Sequence, residues 1–214
     1  FVYLAALENG MHPNTLVVDF PISIEQTDGL WTPQNASKKW FGVAPMRKGL
    51  EFSRNLMTIR LAKEIGIEEV AKYAKTFGIY EEMPAYQSYV LGAGDTTLLK
   101  MVTAYSMLAN GGLHVQASFF DLIYDRYGRP LYSDSPIECV GCSVSEFTKI
   151  QKPYFINKSK RVVDPVSVAQ INSFLRGVVK RGTGSSTVGK LNSNLAGKTG
   201  TTNEAKDIWF VGFT

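Results

Sequence analysis

The chain has 214 residues, of which 44% are hydrophobic, 20% charged and 12% aromatic, and its formal net charge is +4 at pH 7. This is the composition of an ordinary globular domain with ample material for a core, and no apolar run approaches the roughly 18 residues that a membrane span requires. The basic residues are scattered apart from Lys158, Lys160 and Arg161, which we interpret as a solvated turn, so a nucleic-acid partner is not expected.

The first segment predicts a helix from Phe1 to Leu7, followed by a stop signal at Asn9-Gly10. It has no cap residue and no initiating methionine, and the chain ends at Thr214 inside a strand pattern. We therefore interpret the chain as a fragment of a longer protein, truncated at both ends. A β-prone run at Leu16-Val17-Val18 and a turn or extended corner at Trp31 to Asn35 come next.

Three helices are predicted in the middle of the chain. The first runs from Glu51 to Ile65, the second from Glu68 to Phe77 and the third from Thr97 to Asn110. Their apolar residues recur at helical spacing, which predicts core-facing surfaces rather than cofactor-binding motifs. In the third helix the predicted buried face consists of Leu98, Met101, Val102 and Tyr105.

The next part of the chain predicts an exposed region. Phe119 to Tyr132 has the pattern of a β-hairpin, and 133–160 is polar and irregular, which predicts a loop or insertion. Cys139 and Cys142 lie in this segment. A metal site would need two more ligands nearby, so the cysteines are either a local disulfide of an oxidising compartment or two spare thiols.

The last third of the chain predicts one helix and one hairpin. Asp164-Pro165 begins the helix, with aspartate as the cap and proline at the first helical position. The helix ends near Gly182-Thr183-Gly184, and two β-prone runs follow, at Leu191 to Ala196 and at Ile208 to Phe213. The order of elements predicts a mixed fold, a mostly helical lobe against the edge of an antiparallel sheet that lies largely outside the chain.

Between these two runs lies Lys198-Thr199-Gly200-Thr201-Thr202. A strand with this sequence offers a cation for a carboxylate, hydroxyls on alternate positions, and a glycine that lets a ligand approach the backbone. Taken alone, the stretch is more commonly a polar hairpin corner.

A second polar triplet, Ser53-Arg54-Asn55, lies at the start of the predicted helix that follows it. Its serine hydroxyl could move a proton and its asparagine could hold a peptide group, although a serine there is more commonly only a helix cap. Together with Lys198-Thr199-Gly200, the triplet matches the second and third motifs of the set S-x-x-K, S-x-N and K-T-G found in penicillin-binding proteins and class A β-lactamases.

On these motifs the chain resembles the transpeptidase domain of the bifunctional (class A) penicillin-binding proteins. The resemblance runs nearly end to end and implies an α/β (α+β) fold of the β-lactamase and transpeptidase type, with residues 1–214 forming part of that domain. The further stretches that carry it are Trp31 to Asn35, Leu91-Gly92, Ala104 to Gly112, Val178 to Gly184, Gly197 to Asn203 and Asp207 to Gly212.

One motif of the family is absent, because no serine in the chain is followed three residues later by lysine. Two pairs with that spacing, Thr97 with Lys100 and Thr187 with Lys190, are rejected because one opens a helix and the other lies in a loop. The resemblance implies that the nucleophilic serine and its lysine lie just before Phe1, so the fragment itself is expected to be inactive.

The resemblance also implies the chemistry of the parent protein: acyl transfer on the D-Ala-D-Ala end of a peptidoglycan stem peptide, through a serine acyl-enzyme that β-lactams mimic. Ser53 would relay a proton and Asn55 would hold the donor amide. Lys198 would set the electrostatics and bind the terminal carboxylate with Thr199 and Thr201. The glycine between them, Gly200, leaves room for the substrate, and the backbone N–H of Thr201 would form half of the oxyanion hole.

From the same resemblance, no cofactor and no metal are expected, the partners are stem peptides and β-lactams, and the parent acts on the periplasmic side of the bacterial inner membrane through an upstream anchor. Three alternatives stay open. A DD-carboxypeptidase uses water as acceptor, a β-lactamase needs a carboxylate that activates the deacylating water, for which Glu8, Glu51 and Glu64 are present, and a non-enzymatic sensor would only bind β-lactams.

Overall fold

The structure of the protein is a computed structural model that describes residues 1–26, 29–142, 152–191, 194–202 and 206–214. Six α-helices occur in the described residues: α1 (Val2–Glu8), α2 (Met46–Glu51), α3 (Asn55–Ile65), α4 (Ile67–Thr76), α5 (Leu98–Ala109) and α6 (Pro165–Lys180). Two short 3-10 helices span Gln87–Leu91 and Val188–Lys190. None of the described helices is long and apolar enough to span a membrane.

The strands form five two-stranded antiparallel pairs in the described residues, β1 with β4, β2 with β3, β5 with β6, β7 with β8 and β9 with β10. Their bounds are β1 (Leu16–Asp19), β2 (Ile24–Gln26), β3 (Gly29–Trp31), β4 (Gly42–Pro45), β5 (Leu122–Tyr124), β6 (Pro130–Ser133), β7 (Ile137–Val140), β8 (Tyr154–Asn157), β9 (Ala196–Thr201) and β10 (Ile208–Phe213). The mixed helix and sheet fold expected from the sequence is thus confirmed.

Helix α1 lies at the centre of the core. Every residue from Val2 to Leu7 is buried, and the helix packs against α3, α4 and α6. The Tyr3 hydroxyl is a polar group within this core, and it is hydrogen-bonded to Thr58 Oγ1 at 2.9 Å. A side chain at Gly49 would collide with the Tyr3 hydroxyl, so close packing of α1 on α2 depends on that glycine.

The predicted helix from Glu51 to Ile65 is wrong at its start. Helix α2 ends at Glu51, and α3 begins only at Asn55. Ser53 lies in the turn between them with a positive φ of 52°, a value that no residue inside an α-helix adopts. The turn therefore separates two helices, and this break exposes the Ser53 hydroxyl.

The predicted buried face of α5 is also partly wrong. The buried residues are Ala104, Met107 and Leu108, whereas Leu98 and Val102 are about half exposed, at 48% and 53%. The helix is apolar on more than one side, so spacing alone does not select the side that packs inward. Helix α5 packs against α6 and β10.

The segment 133–160, predicted as an irregular loop or insertion, contains a regular element. Strands β7 and β8 pair over four residues each, from Ile137 opposite Asn157 to Val140 opposite Tyr154. The β-branched residues of β7 and the aromatic residues of β8 favour this pairing. Cys139 and Cys142 form a disulfide, which was one of the two alternatives for them, while residues 143–151 lie outside the described part of the chain.

Helix α6 connects this region to the terminal hairpin. As predicted, Asp164 caps it by accepting a hydrogen bond from Val166 N at 2.8 Å, and Pro165 is its first residue. Its buried face packs against α1, α2 and β9. Strand β9 begins at Ala196, so the Lys198 stretch lies within a strand rather than at a hairpin corner.

Candidate active site

Strand β9 presents the Lys198 stretch beside its partner β10. The antiparallel register places Lys198 opposite Val211 and Gly200 opposite Trp209. A Cβ at Gly200 would meet no atom within 4 Å, so the space above this residue is open to a ligand. Gly197 has the opposite environment, because a Cβ there would lie 2.4 Å from the Phe210 ring.

The turn that carries Ser53 is a helix C-cap normally formed by glycine. The N–H of Ser53 donates to Leu50 O at 3.2 Å and the N–H of Arg54 donates to Gly49 O at 2.8 Å. This is the hydrogen-bond pattern of a Schellman motif, with Ser53 in the left-handed position. A residue with a Cβ costs about 1 to 2 kcal/mol in this conformation, so the turn presents a hydroxyl at an energetic cost.

Ser53 and Lys198 are in direct contact. The ammonium Nζ of Lys198 donates to Ser53 Oγ at 3.0 Å and to the carbonyl oxygen of Thr199 at 2.9 Å. Burial lowers the pKa of the Lys198 ammonium to about 8, because partial removal of water disfavours the charged form. The pair thus consists of a hydroxyl hydrogen-bonded to an ammonium group that loses its proton more easily than an exposed lysine does.

The next threonine has a partner that the sequence did not indicate. Thr199 Oγ1 lies 2.7 Å from Thr183 Oγ1, which belongs to the Gly182-Thr183-Gly184 turn after α6. Thr183 was predicted as part of a helix stop and lies in Val178 to Gly184, one of the stretches that carry the family resemblance, but no role was assigned to it.

Asn55, Thr199, Gly200 and Thr201 line two adjoining depressions. One, of about 650 Å³, is lined by Lys198, Thr199 and Gly200, and the other, of about 730 Å³, by Asn55 and Thr201. Both are bounded by the same four residues, Leu91, Gly92, Thr202 and Asp207. The two depressions form one elongated cleft along β9.

Asn55 is held in this cleft by the segment that precedes β4. Its Nδ2 donates to Gln34 O at 2.9 Å. Gln34 belongs to Trp31 to Asn35, which the sequence marked as a corner, and the corner therefore fixes the direction of the Asn55 amide.

The two threonines that are followed three residues later by lysine, Thr97 and Thr187, have other roles. Thr97 caps α5, since its hydroxyl accepts a hydrogen bond from Lys100 N at 3.2 Å. The hydroxyl of Thr187 donates to Gly184 O at 3.3 Å, within a loop. Across the described residues, no group of three or more His, Cys, Asp or Glu side chains is placed to hold a metal ion.

The fold and this cleft are those of a penicillin-binding transpeptidase domain, and comparison with known proteins agrees. The model of the penicillin-binding protein transpeptidase domain matches residues 1–214, and the chain belongs to that family. It is 46% identical to penicillin-binding protein 1A of Rickettsia conorii, over all of this chain and 28% of that protein. It thus spans little more than a quarter of the length of that relative.

Solved structures show the same fold. Penicillin-binding protein 1A of Haemophilus influenzae superposes with a TM-score of 0.81 at 29% identity, over 99% of this chain and 34% of that chain. The protein PonA1 of Mycobacterium tuberculosis, in complex with penicillin V, superposes with a TM-score of 0.76 at 19% identity, over all of this chain and 55% of that chain. The second likeness concerns the fold alone.

Proposed function

We propose that the protein containing this chain is a peptidoglycan DD-transpeptidase that cross-links stem peptides through a serine acyl-enzyme. The observation that carries the proposal is the 3.0 Å contact between Ser53 Oγ and Lys198 Nζ, at one wall of an open cleft in a chain of the transpeptidase family. The hydroxyl and the amine come from segments 145 residues apart.

The nucleophile is a serine outside the described chain, activated by a lysine of the same motif. Its oxygen attacks the carbonyl carbon of the penultimate D-alanine, and the proton passes to the lysine. Ser53 then delivers its proton to the departing D-alanine amine and regains one from the lysine of the nucleophile's motif, while the Lys198 ammonium, 3.0 Å from Ser53 Oγ, keeps its charge and orients the hydroxyl. The amine of a second stem peptide then attacks the acyl carbon, the ester bond to the serine breaks, and the proton of the amine returns to the serine oxygen, which completes the cross-link.

The strand recognises the end of the donor peptide. Lys198 supplies positive charge for the terminal carboxylate, and the hydroxyls of Thr199 and Thr201 donate hydrogen bonds to it. Open space above Gly200 admits the peptide. The backbone N–H of Thr201 and that of the nucleophilic serine stabilise the developing oxyanion, and Asn55 holds the donor amide from the opposite wall.

β-Lactams are proposed as inhibitors of the same cleft, since the structurally similar protein of Mycobacterium tuberculosis binds penicillin V. The relatives of known sequence are several times longer than this chain, and we place the parent on the periplasmic side of the inner membrane, held there by a segment before Phe1.

A β-lactamase activity is disfavoured by the environment of Glu51, one of the three carboxylates considered for water activation. Its carboxylate is buried and bound by the Arg181 guanidinium through both oxygens. Both carboxylate oxygens accept hydrogen bonds from Arg181, so Glu51 is not available to activate a deacylating water.

The test is to incubate the full-length protein with a fluorescent penicillin, and separately with a stem-peptide donor and an amine acceptor. We expect a stable covalent adduct and a cross-linked product, both strongly reduced in Ser53→Ala and unchanged in the loop variant Ser118→Ala. Release of D-alanine without cross-linking would instead identify a carboxypeptidase. Unmodified protein with either reagent would refute the proposal.

A further inference from the structure

The turn that carries Ser53 lies between two charged side chains that are themselves buried. Glu51 precedes it and is 1% exposed, and Arg54 follows it and is 5% exposed. A buried charge requires a partner of opposite sign, and each of these has one from a distant part of the chain.

Glu51 is bound from the C-terminal end of α6. Arg181 Nε donates to Glu51 Oε2 at 2.8 Å, and Arg181 Nη2 donates to Glu51 Oε1. The backbone takes part as well, since the N–H of Thr183 donates to Glu51 O at 3.1 Å. A Cβ at Gly182 would lie 2.0 Å from that carbonyl oxygen, so this close approach depends on glycine.

Arg54 is bound from β1. Its Nε donates to Asp19 Oδ2 at 2.8 Å, and Asp19 is fully buried. The other Asp19 oxygen accepts a hydrogen bond from Asn35 Nδ2 at 2.7 Å. Asn35 Oδ1 in turn accepts from Leu56 N at 3.2 Å, in the first turn of α3. The guanidinium also lies over the Phe41 ring, 4.3 Å from its centroid.

We propose that Asp19 and Arg181 are positioning residues for Ser53. They hold Arg54 and Glu51, the residues on either side of the turn, and thereby keep Ser53 in its left-handed conformation with Oγ next to Lys198 Nζ. Glycine would adopt this turn without assistance, but glycine carries no hydroxyl. The two ion pairs are what allow a serine to occupy the position, and Arg181 links the turn to Thr183, which contacts Thr199.

This inference rests on the proposed function, because the relay from Ser53 is the step that the positioning serves. Misplacement of a reacting group by about 1 Å costs on the order of 100-fold in rate. The removal of either partner should therefore slow acylation without abolishing the binding of penicillin.

The test uses the full-length protein with Asp19→Asn, Arg181→Gln and Arg181→Lys, and measures penicillin acylation at increasing penicillin concentration. Asp19→Asn and Arg181→Gln should lower the limiting acylation rate by about 10- to 100-fold, with a nearly unchanged half-saturating concentration. Arg181→Lys should restore part of the rate. Asp125→Asn, which removes an exposed ion pair with Arg129 in another hairpin, is the matched control and should react normally.

Repeating the substitutions in the Ser53→Ala variant distinguishes the positioning of Ser53 from a purely structural role of Asp19 and Arg181. If Asp19 acts through Ser53, Asp19→Asn should change the residual rate of Ser53→Ala by less than about twofold. An undiminished loss in that background, or a normal rate for both Asp19→Asn and Arg181→Gln in folded protein, would overturn the inference.

Thermal unfolding tests the positioning of Ser53 without measuring a reaction with penicillin. Ser53→Gly should raise Tm, and the drop in Tm caused by Asp19→Asn should be smaller in Ser53→Gly than in the wild type, because glycine need not be held. Equal drops in both backgrounds would overturn the positioning of Ser53, even if the protein proved not to react with penicillin and the proposed function failed.

Discussion

Lys198 Nζ donates a hydrogen bond to Ser53 Oγ at 3.0 Å, although the two residues are 145 positions apart in the chain. Ser53 extends from a turn between two helices, and Lys198 extends from a strand. The contact therefore joins the helical part of the fold to the terminal hairpin. A substitution of Ser53 or of Lys198 alone tests the role of that residue.

Lys198→Ala should retain the fold and lose acylation. The side chain is partly exposed and supplies charge inside the cleft rather than core packing, so little stability depends on it. Removal of one preorganised electrostatic group lowers the rate of acyl transfer by about 100- to 1000-fold. Fluorescent penicillin labelling of the full-length protein measures the rate, with the exposed Lys190→Ala as control. Near-normal labelling of Lys198→Ala would remove Lys198 from the mechanism.

The lowered pKa of Lys198 predicts how stability depends on pH. Its pKa is about 8 in the folded protein and 10.5 when unperturbed, so between these values the unfolded chain binds more protons than the folded one. Stability should then rise with pH across this window. The gain is about 1 to 2 kcal/mol once partial solvent exposure is allowed for.

The measurement is urea unfolding of the wild type and of Lys198→Met from pH 7.5 to 10. The difference in free energy of unfolding between the two cancels the other titrating groups, and it should shift in favour of the wild type as the pH rises. A constant difference would show that the Lys198 amine has an ordinary pKa.

Two glycines of β9 should respond differently to alanine. A Cβ at Gly197 would lie 2.4 Å from the Phe210 ring and 2.6 Å from Val211 O, whereas one at Gly200 would meet nothing within 4 Å. Gly197→Ala should therefore destabilise the fold by about 1 to 3 kcal/mol. Gly200→Ala should leave Tm nearly unchanged but slow acylation, because the new methyl group occupies the ligand's space. Equal effects of the two substitutions on Tm would contradict this assignment.

The disulfide should be dispensable for the chemistry. Cys139 and Cys142 lie in or beside β7 of an exposed hairpin, outside the residues that line the cleft. Replacing both by serine in the full-length protein should leave the acylation rate within about twofold, since the sites share no partners. Loss of acylation by a protein that still unfolds cooperatively would reveal a role for this hairpin.

Local patterns were sufficient to predict five of the six α-helices of the described residues, because caps and apolar spacing act within a few residues, whereas α2 was not predicted and the start of α3 was wrong. Asp164-Pro165 is an example, and the structure confirms it as the start of α6. The break at Ser53 was not predictable in this way. Its left-handed turn is held by Asp19 and Arg181, which lie far away in sequence. Nothing in a single sequence indicates that these two residues contact the segment around Ser53. The contact between Thr183 and Thr199 was missed for the same reason.

The 214-residue chain by itself should form no covalent adduct with penicillin. Acylation requires a hydroxyl with a base in hydrogen-bond reach and two N–H donors around the oxyanion, and no serine of this chain has a lysine three residues later. Ser53 has Lys198 as a neighbour, but in the proposed mechanism it relays protons and is not acylated. Thr97 serves as a helix cap and is unavailable as a nucleophile.

Intact-protein mass spectrometry after incubation with excess penicillin measures this directly. Circular dichroism of the same sample establishes that the chain is folded, and the full-length protein is the positive control. We expect an unshifted mass for the chain and a shift by one penicillin for the full-length protein. An adduct on the chain, mapped by peptide digestion to Ser53, Thr97 or Thr187, would place the nucleophile inside these 214 residues and overturn the assignment of Ser53 as a relay.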